Sequence, residues 1–164
     1  MPERTPEEAY DKIEREFTWR LFELHNIRSM VDSSGLIIQN ALIRSGIPIL
    51  YSHWEGFVKS SSIIYLKHIQ TQRIPLKDMK TNFQYLANKG EINKYLCSES
   101  DPVLALENLR KSLDEDSTKK IKCEIDTKSN LNYEIFSGIA NIIGVHPTIF
   151  SSRKNFIDIE LLKR

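Results

Sequence analysis

Several signs of specialised protein classes are scarce in this chain of 164 residues. It has only two cysteines, Cys97 and Cys123, and their separation matches neither a zinc site nor a redox motif. Its six glycines form no Gly-rich phosphate-binding loop, and no low-complexity tract is present. We therefore expect reduced thiols in a cytosolic protein, with no metal and no cofactor.

The chain also lacks a charge excess and a long apolar run. Its formal net charge is +1, so any contact with nucleic acid would have to come from a local patch. The longest apolar stretches are interrupted by Arg44, His53, Glu55 and Lys59, and the N-terminus has no apolar signal region. These absences predict a soluble cytoplasmic protein without a membrane span. The length predicts a single domain over 1–164 with a sizeable core.

The spacing of apolar residues predicts helices throughout. Thr5-Pro6-Glu7-Glu8 is typical of a helix start, and apolar residues then recur every three to four positions up to about Asp32. A second helix is predicted from about Leu36 to Gln70, with a kink or break at Gly46 and Pro48. Further helices are predicted over 78–88 (stopped by Asn88-Lys89-Gly90), 101–113 and 130–144, and from 157 to the end. The sequence thus predicts an all-α, up-and-down helical bundle with short extra helices.

The stretch 113–128 is rich in charge of both signs and poor in apolar residues, which predicts a solvated loop. Lys119, Lys120 and Lys122 leave a second interpretation open, an RNA-facing patch. Sequence-independent phosphate binding usually involves more positive charge than this.

The second helix carries ionisable side chains beside its apolar face. His53 and Glu55 flank that face on opposite sides, and Gly56 leaves a notch that another chain could approach. Buried polar groups without partners cost free energy, so each side chain needs a reason to be there. A purely structural interpretation pairs Glu55 with Lys59 and bonds His53 to a backbone carbonyl.

Three segments, in collinear order, resemble the MAE-type HEPN domains, helical domains grouped with the RiboL-PSP-HEPN ribonucleases. Residues 50–59 resemble the signature of the second helix. Trp19-Arg20 with Glu23-Leu24 resembles a motif near the domain start, and residues 130–144 resemble the segment before the last helix. The resemblance extends from about Trp19 to Arg164.

This resemblance implies a metal-independent endoribonuclease of a prokaryotic system for toxin–antitoxin function or antiviral defence. HEPN nucleases carry an Arg and, a few residues later, a His on a late helix. The His can take the 2′-OH proton near neutral pH, and the Arg can stabilise the phosphate. Residues 159–162 resemble the lead-in to that motif, and Arg164 is either its Arg or the residue before it. The motif His is missing, so we expect a poor nuclease, truncated from a longer protein whose C-terminal helix continues.

The predicted catalytic residues are Glu55, Arg164 and His53. Glu55 matches the family's signature acid and would orient or charge-balance the Arg and His. His53 has either a direct role or a core role. Arg20 and His25 also have the Arg–His spacing, but no Asn follows Arg20, which favours a surface Arg paired with Glu16 or Glu23.

The resemblance also implies partners. We expect a homodimer through the second and C-terminal helices, with contacts at Gly56 and Trp54, RNA as the substrate, and an antitoxin or other protein as a further partner. Two alternatives stay open: a non-catalytic helical dimerisation or interaction module, and a helical regulatory domain unrelated to HEPN.

Overall fold

A computed structural model gives the fold and describes residues 4–97, 101–114, 118–128 and 130–161. These residues form helices and irregular segments without a strand, which confirms the predicted all-α class. The α-helices are α1 (Pro6–Ser33), α2 (Leu36–Thr71), α3 (Thr81–Leu96), α4 (Pro102–Leu113) and α5 (Tyr133–Ile142). Two 3₁₀ segments (Leu76–Asp78 and Pro147–Arg153) and a π-helical turn (Phe156–Leu161) complete the described chain. Within it, no helix is long and apolar enough to cross a membrane.

Capping side chains start three of the predicted helices. The Thr5 hydroxyl accepts the Glu8 N–H at 3.2 Å, and the Glu8 carboxylate accepts the Thr5 N–H at 3.3 Å, which completes a capping box. Asp101 caps α4 by accepting the Leu104 N–H at 3.0 Å. Asn132 caps α5 by accepting the Ile135 N–H at 2.8 Å. These local bonds satisfy N–H groups that have no partner inside the helix.

Neither of two predicted interruptions ends a helix. α2 runs unbroken through Gly46 and Pro48. Pro48 removes only one helical hydrogen bond, and the packing of α1 along the same stretch compensates for that loss. α3 runs through Asn88-Lys89-Gly90 to Leu96. Asn88 does not cap a helix end there, because it is buried and its side-chain oxygen accepts hydrogen bonds from Ser112 and Lys119.

The core lies at one end of a long α1–α2 hairpin. There the second half of α2 packs against α3, α5 and the segment before α5. Ile47 and Leu50 are 42% and 40% exposed, whereas Tyr51 and Val58 are buried. Burial of α2 in the core therefore begins at Tyr51 and does not include the earlier turns.

Residues 118–128, here called the strap, run extended and irregular beside α2. Ile121, Ile125 and Thr127 are 3%, 5% and 4% exposed, and the residues between them are exposed or half-buried. The predicted solvated loop is therefore wrong for this segment. Its apolar residues are few, but their alternation places them all on one side of an extended chain.

Candidate functional site

Helix α2 holds the end of the strap and the segment before α5 through three side chains. The Thr127 hydroxyl donates to Oε1 of Glu55. The Tyr51 hydroxyl accepts the backbone N–H of Leu131 at 2.6 Å, and Nε1 of Trp54 donates to the Leu131 carbonyl at 3.5 Å. Tyr51 and Trp54 lie in the segment that resembles the family's second-helix signature. They thus bind the backbone of the segment 130–144, which resembles the region before the last helix.

Glu55 is half-buried, and its hydrogen-bond donor comes from the strap. The ion pair with Lys59 that the structural interpretation offers is not formed within the described residues. Oε2 of Glu55 has no hydrogen bond there either. The carboxylate is therefore fixed through one oxygen, and the other is available to a further donor.

His53 faces α1 on the other side of α2. Its Nε2 lies 3.3 Å from Oε2 of Glu23, but the direction is too poor for a hydrogen bond, and the buried Nε2 has no hydrogen-bond partner in the described chain. The ring packs edge-on against Trp19 with the centroids 5.4 Å apart. The expected bond to a backbone carbonyl is thus not formed within this part of the chain. The structure does not bring His53 and Glu55 together.

Arg20 pairs with Glu16, as the sequence suggests. Its Nη1 donates to Oε2 and to the backbone carbonyl of Glu16, both at 2.6 Å, and the guanidinium lies 4.3 Å from the centroid of the Trp19 ring. The hydrogen bond from Arg20 holds the pKa of the Glu16 carboxyl below its ordinary value. His25 is exposed on the same helix. Arg20 is therefore engaged in an α1 ion pair.

The notch at Gly56 is filled from within the chain. A Cβ placed at Gly56 would lie 3.1 Å from Nη2 of Arg20. The same Nη2 lies 3.5 Å from the hydroxyl of Ser60, one turn further along α2. Arg20 of the same chain therefore lies over Gly56, and the approach of a second chain there stays a prediction.

A polar cleft of about 630 Å³ lies between the start of α5 and the last described turn. The carboxylate of Asp158 accepts the Tyr133 N–H at 2.8 Å, and Nζ of Lys154 lies 5.9 Å from the centroid of the Tyr133 ring. The cleft is lined by Asn130, Asn132, Tyr133, Glu134, Ser137, Lys154 and Asp158. The sequence reasoning missed Lys154 and Asp158. The sequence signal that could have indicated these two residues is their spacing of four positions in a late helical segment.

The remaining predicted groups add little to this cleft. Arg164 lies outside the described residues. Among those described, no cluster of three or more His, Cys, Asp or Glu could hold a metal ion. Both thiols are free, and burial raises the pKa of Cys123.

Comparison with known proteins identifies a family. No curated protein and no solved structure matches the chain. The sequence profile of the HEPN_MAE_28990-like HEPN family matches residues 9–164, which excludes the alternative of an unrelated helical domain. The match includes α1, α2 and α5, and hence the side chains that hold Leu131. With nearly the whole chain matched, the protein belongs to the HEPN_MAE_28990-like HEPN family.

Proposed function

We propose that the chain is a metal-independent endoribonuclease domain of a cytoplasmic prokaryotic defence or toxin-type system, working as a homodimer. The observation that carries the proposal is the polar cleft beside the last described helical turn. By resemblance, that end of the chain leads into the Arg–His motif.

The cleft offers groups that suit single-stranded RNA. Lys154 can contact a phosphate, and the half-buried ring of Tyr133 can stack on a base. The exposed amide of Asn130 can bond to a base edge or a 2′-hydroxyl. Glu134 and Asp158 would repel phosphates, so we expect the backbone to pass on the Lys154 side.

We assign the roles as follows. Arg164 would stabilise the phosphate in the transition state, and the His of the family's motif would take the 2′-OH proton. Glu55 would orient the Arg through its Oε2, while Thr127 fixes Oε1. His53 faces α1 and not the strap, so we assign it to packing between α1 and α2.

The test is cleavage of a labelled single-stranded RNA in excess EDTA. One protein is this chain, and the other is the native gene product. Glu55→Gln is the informative variant, because the amide oxygen still accepts from Thr127 while the charge is removed. We expect cleavage by the native gene product, and loss of it in Glu55→Gln at unchanged unfolding free energy.

Two results would count against this proposal. Cleavage that Glu55→Gln leaves intact would remove Glu55 from the site. A native product that cuts no RNA would reject the nuclease and favour the interaction module.

One observation favours that second candidate, a non-catalytic module that binds another protein. An apolar groove of about 210 Å³ lies between α1, α2 and Phe156, and Phe17 and Leu21 on its wall are each about half exposed. A groove of this kind suits the apolar side chains of a partner helix, such as one from an antitoxin. Capture of such a helix by a protein without nuclease activity would support this function.

A further inference from the structure

The polar cleft beside α5 carries more negative than positive charge. Among its described lining side chains, Glu134 and Asp158 are acids and Lys154 is a base. A cleft with this balance repels phosphate groups, so a nucleic acid would enter it with its bases first. The ligand that suits the cleft is therefore rich in N–H donors.

Glu134 lies in the first turn of α5 and has an exposed carboxylate. Within the described chain this carboxylate forms no ion pair and accepts no hydrogen bond. Asp158 differs, because its Oδ1 already accepts the Tyr133 N–H at 2.8 Å. Glu134 thus offers two oxygens side by side, the arrangement that accepts two parallel N–H donors.

The ring of Tyr133 lines the same cleft and can stack on a base. It is half-buried, its hydroxyl donates to the carbonyl of Pro147 at 3.3 Å, and its centroid lies 6.5 Å from that of Phe136. Because these contacts already hold the ring in place, stacking on it costs little conformational entropy.

The cleft wall also offers hydrogen-bonding groups that the chain itself leaves unused. The hydroxyl of Ser137, one turn after Tyr133, is buried, and no described residue bonds to it. Buried polar groups in native proteins are nearly always paired, so this hydroxyl at the wall of a cleft indicates a polar ligand. Asn132 uses Oδ1 to cap α5, which leaves its amide N–H groups for that ligand.

We propose that the cleft binds a guanine base of single-stranded RNA. The base stacks on Tyr133, and the Glu134 carboxylate accepts both N1–H and the 2-amino group. An N–H of Asn132 can donate to O6, the remaining group on the Watson–Crick edge. The inference rests on RNA as the proposed substrate and names the base that the cleft selects.

The carboxylate of Glu134 explains the choice of guanine over the other bases. Guanine presents two adjacent donors on its Watson–Crick edge. Adenine and cytosine each present one donor beside an acceptor, and uracil presents one donor between two acceptors. Each of these bases would set a lone pair against the carboxylate, which is unfavourable because an ionised carboxylate can only accept.

The test is the binding of labelled oligonucleotides to the full chain, measured by fluorescence anisotropy. The probes are short 2′-fluoro oligouridylates with one central guanosine, inosine or adenosine, which cannot be cleaved because they have no 2′-OH. We expect the guanosine probe to bind roughly tenfold more tightly than the adenosine probe. Inosine keeps N1–H but lacks the 2-amino group, so its probe should fall between the two.

Glu134→Gln is the decisive variant, because a side-chain amide cannot accept two donors side by side. We expect its affinities for the guanosine and adenosine probes to lie within about twofold of each other. A change in folding or in total charge would move both affinities together, so their ratio isolates the base contact. Glu107→Gln, the same change at an exposed position of α4, is the control and should keep the wild-type ratio.

A guanine preference that the wild type and Glu107→Gln share and Glu134→Gln lacks supports the proposal. Equal binding of the guanosine and adenosine probes by the wild type, or a preference that survives in Glu134→Gln, overturns it and leaves the nuclease proposal standing. Displacement of the probe by free GMP as effective as that by the unlabelled oligonucleotide would assign the cleft to a free nucleotide and overturn the RNA site. Failure of every probe to bind would overturn the proposal and count against the nuclease as well.

Discussion

The hydroxyl of Tyr51 accepts the backbone N–H of Leu131, which joins α2 to a residue 80 positions away at a distance of 2.6 Å. Leu131 is fully buried, so this N–H has no access to water. Trp54 bonds to the carbonyl of the same residue, so one peptide segment is held at both its donor and its acceptor. The position of α5, and with it one wall of the polar cleft, depends on this attachment.

Tyr51→Phe should lower the free energy of unfolding by about 1–3 kcal/mol, because it leaves the buried Leu131 N–H without a partner. Urea denaturation followed by circular dichroism measures the change. Tyr85→Phe, at a residue that is 38% exposed, is the control and should have little effect. Equal stability of the wild-type and Tyr51→Phe proteins would contradict the assigned bond.

Thr127→Val should destabilise the protein by about 1–3 kcal/mol, because it removes the donor to the half-buried Glu55 carboxylate. Thr127→Ser keeps a hydroxyl and should retain most of the stability. The comparison by thermal or chemical denaturation separates the hydrogen bond from packing. A Thr127→Val protein as stable as the wild type would contradict the assigned bond.

Two glycines of α2 should respond differently to alanine. At Gly46 the added Cβ meets Ile27 at an ordinary 3.7 Å, so Gly46→Ala should stabilise by roughly 0.5–1 kcal/mol through helix propensity. At Gly56 the added Cβ meets Arg20 at 3.1 Å, so displacement of that side chain should offset the same gain. The difference in melting temperature tests this. Adding Arg20→Met should restore the gain at Gly56.

Stability in acid should depend on Glu16, whose folded pKa is lowered by the hydrogen bond from Arg20. A lowered folded pKa means that the ion pair contributes fully above the ordinary value of 4.5, and that this contribution is lost as the pH falls through the folded pKa. Glu16→Gln should therefore cost a few tenths of a kcal/mol at neutral pH, the size of a partly exposed pair, and less in acid. The measurement is the free energy of unfolding of both proteins from neutral to acidic pH. The difference between the two values should become smaller as the pH falls. A difference that is independent of pH would contradict it.

The parts of the fold that could be predicted from sequence depend on local chemistry. Thr5, Asp101 and Asn132 cap helices with groups three residues away, so their roles are visible in a short window. The predicted stop at Asn88 failed because the partners of that side chain, Ser112 and Lys119, come from distant parts of the chain. The strap was missed because its charged residues mask an apolar alternation with period two.

The candidate site was predicted in part for the same reason. Glu55 stood out as an acid on an apolar helix, but its partner Thr127 lies 72 residues later, and no local pattern indicates that contact. The ion pair of Arg20 with Glu16 was predictable because both lie four apart on one helix. That Arg20 also covers Gly56 depends on how α1 and α2 pack.

Because the core lies at one end of the α1–α2 hairpin, the backbone amides should fall into two classes with different free energies of opening. Of all the residues of α1, only Ala9 is buried, and Phe22, Ile37 and Ile43 near the far end of the hairpin are 67%, 87% and 47% exposed. Backbone amides at that end are protected mainly by helical hydrogen bonds, so in the isolated protein they should exchange with deuterium through local fraying. Amides from Tyr51 to Leu66 should exchange only when the core itself unfolds. A partner that covers the apolar groove would slow the first group and leave the second nearly unchanged, so hydrogen exchange can report binding on this hairpin.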